Sequence, residues 1–274
     1  MAYRRILTVQ DISCLGQCSM TVALPVLSAC GHETCILPTA VLSTHTGGFG
    51  RPQVRHLADM IDGVRKHWQE NEIAFDGILV GYLGSVEAID AVMDLADTML
   101  AENGKLIVDP AMADHGKLYS GFDQTYARAM QKLCERSHVM IPNITEAAMM
   151  TGLPFRETYD EDYIQNLLDG LKGREVILTG VSLSPEKTGV AARTENGISV
   201  YQHDRIGKNY HGTGDLFAAA FTGALMQEKT VEEAVRIASD FTLQCIRNTW
   251  ENPAHWYGVK FETAIPGLIQ ALFG

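Results

Sequence analysis

Phe75-Asp76-Gly77-Ile78-Leu79-Val80 is a short apolar run that ends in Gly81-Tyr82-Leu83-Gly84-Ser85, and Lys105-Leu106-Ile107-Val108 ends in the same way in Asp109-Pro110. Between them, Ser85–Glu102 carries its apolar residues at helical spacing. Strand, helix and strand in that order form a βαβ unit, whose two strands run parallel and whose helix covers the sheet. The same alternation continues outward in both directions. Further strands are expected at Ile6–Val9, Thr34–Pro38, His138–Ile141 and Glu175–Thr179. Helices are expected at Ser19–Cys30, Pro52–Asn71, Phe122–Arg136, Asp160–Leu171, Asp215–Gln227, Val231–Asn248 and Phe261–Phe273. Two late runs, Gly189–Arg193 and Ile198–Tyr201, are joined by Thr194-Glu195-Asn196-Gly197, and Asn-Gly between such runs signals a hairpin. The expected class is α/β, with a mainly parallel central sheet that carries an antiparallel extension.

The chain has 274 residues, enough to bury a core without disulfides. No repeat, low-complexity tract or Ser/Gly/Pro linker divides it, so residues 1–274 read as one domain. Lys plus Arg is 22 and Asp plus Glu 33, a formal charge of −11. That balance argues against nucleic acid or an anionic membrane as partner, since both select a basic footprint. Any anionic ligand has to be held by local positive potential instead. Six cysteines with no CxxC pair fit neither a disulfide scaffold nor a zinc site. Met1-Ala2-Tyr3-Arg4-Arg5 leads straight into the first strand, and no stretch of 18 apolar residues occurs. The expectation is therefore a soluble, cytoplasmic, reduced protein.

In an open parallel sheet the ligand crevice lies beyond the carboxyl ends of the strands, so residues that directly follow strands are the candidates. The most informative segment is His211-Gly212-Thr213-Gly214-Asp215-Leu216-Phe217-Ala218-Ala219-Ala220-Phe221. Two glycines make a tight turn into a helix that is apolar nearly all round and therefore buried. Its free N–H groups and dipole form an anion site. Asp215 at that point competes with an anion unless it accepts a proton from a hydroxyl that attacks a phosphorus held by those amides. The alternative is that Asp215 only complements the helix dipole. The segment lacks the third glycine of GxGxxG, and no GxxxxGK[ST] exists, which excludes a P-loop and speaks against a nicotinamide oxidoreductase.

Pro142-Asn143-Ile144-Thr145-Glu146 reads first as a capping box and, functionally, as groups that could order water around a phosphate-bound Mg²⁺. Asp109, ending a strand, and Asp114 would complete such a rim with Glu146. Ser43-Thr44-His45-Thr46-Gly47-Gly48-Phe49-Gly50 reads as a flap, with His45 a satisfied structural histidine. Tyr82 either lies over a flat ring or covers its own loop. The aromatic tail Trp250-Glu251-Asn252-Pro253-Ala254-His255-Trp256-Tyr257 reads as packing of the chain's end.

Taken together, Thr8-Val9-Gln10, Ser43-Thr44-His45-Thr46-Gly47, Gly81–Ser85, Val108-Asp109-Pro110, Pro142–Glu146 and Gly212-Thr213-Gly214-Asp215 resemble the ribokinase superfamily, and within it the pyridoxal/pyridoxamine kinases of vitamin B6 salvage. The resemblance implies a three-layer α/β/α fold, usually dimeric, that moves the γ-phosphate of ATP to the 5′-hydroxymethyl of a pyridine vitamer. Asp215 would be the base and Gly212, Thr213 and Gly214 the anion hole. Asp109, Asp114, Asn143 and Glu146 would handle phosphates and Mg²⁺, with Asp109 and Glu146 acting through water. Thr179 would sit near the nucleotide, and Ser43, Thr46 and Tyr82 would line the vitamer pocket. The family often also uses K⁺. Many relatives have Ser where this chain has Asp11, a carboxylate expected to favour the ammonium of pyridoxamine over an aldehyde. Related hydroxymethylpyrimidine kinases often have Cys where Asp215 stands; these, and a non-catalytic vitamer-binding homologue, are the rival readings.

Overall fold

In the computed structural model, which describes residues 2–207 and 210–274, β1 (Arg5–Ser13), α1 (Met20–Ala29), β2 (Glu33–Leu42), β3 (Val54–His56) and α2 (Ala58–Glu70) come first. The βαβ unit follows as β4 (Phe75–Val80), α3 (Val86–Met99) and β5 (Leu100–Val108). A small ribbon, β6 (Ala113–Asp114) with β7 (Lys117–Leu118), leads to α4 (Gln124–Arg136), β8 (Val139–Met140), α5 (Ile144–Thr151) and α6 (Glu161–Gly170). The chain ends with β9 (Glu175–Val181), β10 (Lys187–Thr194), β11 (Gly197–Asp204), α7 (Thr213–Met226), α8 (Val231–Trp250), a 3₁₀ turn (Phe261–Thr263) and α9 (Ile265–Phe273).

The main sheet has the order β11-β10-β9-β8-β5-β4-β1-β2-β3. The run from β9 to β2 is parallel, while β10, β11 and β3 pair antiparallel. Alternation along each strand divides the core into two. Leu7, Val9, Ile78, Val80, Leu106 and Val108 pack under α2 to α6. Ile6, Leu79, Ile107, Val139 and Ile177 face the other way, with α1, α7, α8 and α9. This is the expected three-layer α/β/α arrangement, and the hairpin at Thr194/Gly197 closes as the sequence suggests.

Of the boundaries that differ from the sequence reading, two bear on the sheet. The helix expected from Pro52 begins only at Ala58, because Val54–His56 pairs with Ala40–Leu42 as β3. Covering the open edge of β2 outweighs local helical preference there. The helix expected to reach Glu102 stops at Met99, and β5 starts at Leu100, whose partner on β4 is Phe75.

α7 is the helix that positions the site. Every residue from Leu216 to Met226 is buried. A Cβ on Gly223 would come within 2.4 Å of Cys30 Sγ, so the glycine is what lets α1 approach this closely. With its flanks buried on all sides, α7 has one end left to act, its N-terminus at the carboxyl rim of the sheet.

Candidate active site

Gly212 is the N-cap of α7, with φ 77, and no side chain caps this helix end. The left-handed turn aims the first-turn N–H groups outward instead of into a capping hydroxyl. A Cβ at Gly212 would lie 1.9 Å from the Gln17 carbonyl oxygen, whereas among the described residues nothing lies within 4 Å of the Cβ position of Gly214. One glycine is therefore required by packing, and the other faces open space. Thr213 turns its hydroxyl back to the Tyr210 carbonyl (3.1 Å), which leaves its own N–H for a ligand.

Asp215 follows in the first turn. Burial pushes its carboxyl up to about 6; the Ser19 main-chain N–H opposes this, and the neighbouring Asp11 carboxylate adds to it. A carboxylate with that proton affinity, beside free amides, is suited to take a proton from an alcohol near neutral pH. Asp11 is only 4% exposed and accepts the Ser13 hydroxyl at 3.0 Å. Burial raises it too, against the Ser19 and Ser13 hydroxyls and His45. Burial pushes the Tyr82 hydroxyl up, and the charge of Asp11 adds to that shift.

Asp109, Asp114 and Glu146 lie close enough for their charges to act on one another. Desolvation raises Asp109 well above the usual carboxylate range, reinforced by Glu146 and Asp215. Glu146, 2% exposed, is pushed up to about 7 by burial, with the charge of Asp114 adding to the shift. Asp114 itself is exposed and accepts the His115 N–H at 2.7 Å. The capping reading of Asn143 and Glu146 is also correct: α5 opens on a full capping box. Both Glu146 oxygens are engaged, Oε1 by the N–H groups of Met112 (3.0 Å) and Ala113 (3.4 Å) and Oε2 by that of Asn143 (2.9 Å). Asn143 in turn donates to the Ala113 carbonyl (2.8 Å). The pair thus locks the β6–β7 ribbon to α5, and cap and site are one construction. Among the described residues no group of three or more His, Cys, Asp or Glu forms a ready-made metal cage. The rim offers hard oxygen donors, and among the described residues neither Asp109 nor Glu146 forms an ion pair with a basic side chain, a donor set that suits Mg²⁺ bound largely through water and phosphate.

Thr179 lies where β9 meets the end of β8, its N–H donating to the Pro142 carbonyl at 2.9 Å, and it is bridged to Asn143. Tyr82 stacks on Phe122 at 5.4 Å, and Phe122 on Tyr126 at 3.7 Å, so one ring face is already taken. Ser43 and Thr46 are exposed on the flap; the Ser43 hydroxyl accepts the Gln53 N–H at 3.0 Å and closes the flap's base. His45 is the satisfied structural histidine. Its Nδ1 accepts from Gly47 N–H (3.0 Å), so the proton sits on Nε2, which donates to the Tyr257 carbonyl (3.0 Å). The tail packs over the flap, with Trp256 4.5 Å from Phe49. Sequence reasoning did not single out Ser13, Gln17, Ser19 or Tyr119. Gln17 meets Gly212 across 195 positions, and nothing local announces it. A cavity of about 310 Å³ lies away from this rim, lined by Met93, Leu100, Leu106, Leu133, Arg136 and His138, at the amino end of β5.

This arrangement has counterparts among known proteins. The family model described as phosphomethylpyrimidine kinase matches residues 26–259. A crystal structure of pyridoxal kinase from Lactobacillus plantarum superimposes with a TM-score of 0.90 at 32% identity, covering 97% of each chain. A pyridoxine/pyridoxal/pyridoxamine kinase of Bordetella pertussis is 27% identical over 262 residues, 90% of this chain and 89% of that one. A hydroxymethylpyrimidine/phosphomethylpyrimidine kinase of Bacillus subtilis is 28% identical over 201 residues, 72% of this chain and 70% of that one. The chain belongs to the phosphomethylpyrimidine kinase family, and within it stands with the pyridoxal kinases.

Proposed function

We propose that this protein transfers the γ-phosphate of ATP to the 5′-hydroxymethyl group of a vitamin B6 vitamer, with Asp215 as the general base. The observation that carries the reading is the uncapped α7 N-terminus with Asp215 in its first turn. Developing negative charge on the migrating phosphoryl group meets the amides of Gly212, Thr213 and Gly214, which need no reorganisation at that moment. Asp215 accepts the proton of the attacking hydroxyl, and the transfer needs no covalent enzyme intermediate. On the other side of the rim Asp109, Asp114, Asn143 and Glu146 would orient the polyphosphate and hold Mg²⁺, which when bound supplies charge neutralisation. Thr179 belongs to the nucleotide side. Tyr82, Ser43, Thr46 and Asp11 line the acceptor side. K⁺ rests on the family resemblance alone and is tested by comparing turnover in K⁺ and Na⁺ salts.

The deciding experiment offers pyridoxal, pyridoxamine, pyridoxine and hydroxymethylpyrimidine with Mg·ATP and follows the phosphorylated products by mass spectrometry. A B6 5′-phosphate is the expected product. Asp215→Asn should keep the fold and the KM for ATP while kcat falls by roughly 10²–10⁴, the usual worth of a general base. Near-normal turnover would remove Asp215 from the mechanism, and turnover of the pyrimidine alone would move the protein to the thiamine-type reaction. A homodimer is proposed as well. It is supported by Ile36, Val54 and Met60, 39%, 45% and 53% exposed at the β2–β3–α2 edge, and is checked by light scattering. Among the described residues no helix is long and apolar enough to cross a membrane.

A further inference from the structure

The loop that joins β1 to α1 turns twice through left-handed backbone, at Gly16 (φ 106) and at Ser19 (φ 48). Gln17 lies between the two turns and meets three other segments of the chain. Its carbonyl oxygen fills the place that a side chain on Gly212 would take, 1.9 Å from that Cβ position. Its N–H donates to the Tyr257 carbonyl (3.3 Å) in the aromatic tail. Its side-chain amide has one orientation. Nε2 donates to both carboxylate oxygens of Glu262 (2.8 and 3.0 Å), so the atom facing His255 is Oε1, which accepts from Nε2 of that ring at 2.6 Å. Gly258 makes room for the contact, since a Cβ there would come within 2.5 Å of Gln17 Cβ. The flap has its own hold on the tail, because His45 Nε2 also donates to the Tyr257 carbonyl (3.0 Å). α7, by contrast, does not secure its own start: no side chain caps it. The N-terminal amides of a helix fray unless a group outside the helix holds them.

We propose that Gln17 is a positioning residue for phosphoryl transfer. Bracketed by Tyr257, His255 and Glu262, it holds its carbonyl against Gly212 and so fixes the direction of the amides that open α7. The tail and the 3₁₀ turn are then part of the working site and do more than pack the end of the chain. The role rests on those amides receiving the migrating phosphoryl group, and its test includes a readout that needs no turnover.

Gln17→Glu replaces the donor to Glu262 by an oxygen and sets two carboxylates against each other, which should push the loop off the 3₁₀ turn. Adding Glu262→Gln restores one donor and one acceptor with the direction of the bond reversed, and His255 can still donate to position 17. A misplacement of about 1 Å at the reacting atoms costs about a hundredfold in rate, so kcat in Gln17→Glu should fall roughly 10–100-fold. KM for ATP and for the acceptor should stay near wild type, because these amides act chiefly on the transition state. The double variant should recover most of kcat, which a merely structural loss would not do. Hydrogen exchange followed by mass spectrometry should show the amides of residues 211–216 exchanging faster in Gln17→Glu and slowing again in the double variant. Circular dichroism melts establish that each variant is folded at the assay temperature. Wild-type kcat in Gln17→Glu, a raised acceptor KM with unchanged kcat, or a folded double variant without recovery would each overturn the proposal. If the double variant does not fold, Gln17→Ala decides, since it deletes the bracket without adding charge: a lowered kcat supports the role and a wild-type kcat overturns it. An inactive Asp215→Asn beside a fully active Gln17→Glu would keep the base and refute the bracket alone.

Discussion

Replacing each glycine of the Gly212-Thr213-Gly214 turn by alanine separates what the fold requires from what the chemistry requires. At Gly212 the new Cβ would sit 1.9 Å from the Gln17 carbonyl oxygen, with φ at 77. Gln17 cannot simply retreat. Its N–H donates to the Tyr257 carbonyl (3.3 Å), its amide to Glu262 (2.8 Å), and its Oε1 lies 2.6 Å from His255 Nε2. The left-handed backbone costs about 1–2 kcal/mol for a residue with a Cβ, and forcing the overlap costs about 1–3 kcal/mol more. A loss near 3 kcal/mol corresponds to a melting temperature lower by roughly 6–12 °C for a chain of this size. At Gly214 an added Cβ would meet no atom of the described residues within 4 Å, and φ is not positive. Alanine there should hold or slightly raise the melting temperature, since it is the better helix former by up to ~1 kcal/mol. Its methyl would stand in front of the free amides, so kcat should fall by roughly 10²–10³, as when an oxyanion donor is lost. Differential scanning calorimetry and initial rates on the same preparations provide both numbers. A Gly212→Ala protein that melts like wild type would refute the packing argument; a fully active Gly214→Ala protein would show that the open space is not where the phosphoryl group passes.

Asp215 has to be ionised to accept a proton, so kcat/KM should rise with pH up to about 6 and level above it, and that acid limb should vanish in the residual activity of Asp215→Asn; a midpoint near 4 would refute the burial argument. Glu146 has a folded pKa raised to about 7, so the stability linked to it is fully present below pH 4.5 and is lost as pH rises through 7. The drop in melting temperature between pH 5 and pH 8 should therefore shrink in Glu146→Gln, while the variant itself is less stable by roughly 1–3 kcal/mol for its orphaned N–H partners. Asp11→Ser should lower the preference for pyridoxamine over pyridoxal, in kcat/KM, by roughly tenfold, the worth of one charge-assisted hydrogen bond; an unchanged ratio would mean that Asp11 does not meet the substituent.

The parts of this site legible in the sequence are those whose physics is local. Gly212 can be read because a turn that must expose its amides excludes a side chain, and the Asn143–Glu146 box because cap and third residue are three apart. The strand ends Val80 and Val108 are legible from apolar runs that stop abruptly, which puts Tyr82 and Asp109 on the rim. What escaped depends on distant partners. β3 exists because Ala40–Leu42 lacks an outer neighbour, a fact invisible in Val54-Arg55-His56. Ser19 carries no mark of its left-handed backbone, since serine before a helix signals an ordinary cap. Of the two readings of Glu146 in the sequence, the structure bears out the cap, and the same carboxylate also fastens the ribbon that carries Asp114, a partner too distant in sequence to be read there.

A chain with a formal charge of −11 that gathers Asp11, Asp109, Glu146 and Asp215 at one sheet edge looks ill suited to a polyphosphate. The physical chemistry points the other way. Burial raises all four carboxyls, and the charge of neighbouring acids adds to the shift at Asp109, Glu146 and Asp215. A protein that used lysines to hold the anion would depress them instead, and would leave Asp215 too weak a base near neutral pH. On the proposed reading positive potential would come from main-chain amides at the buried α7, which carry no titratable proton and cannot neutralise the base by ion pairing. On the same reading the remaining negative charge would suit a substrate that arrives with its own divalent counter-ion. Acidity at this rim would then keep the base proton-hungry and, by favouring the metal complex over the free anion, would give the two halves of the site their different partners.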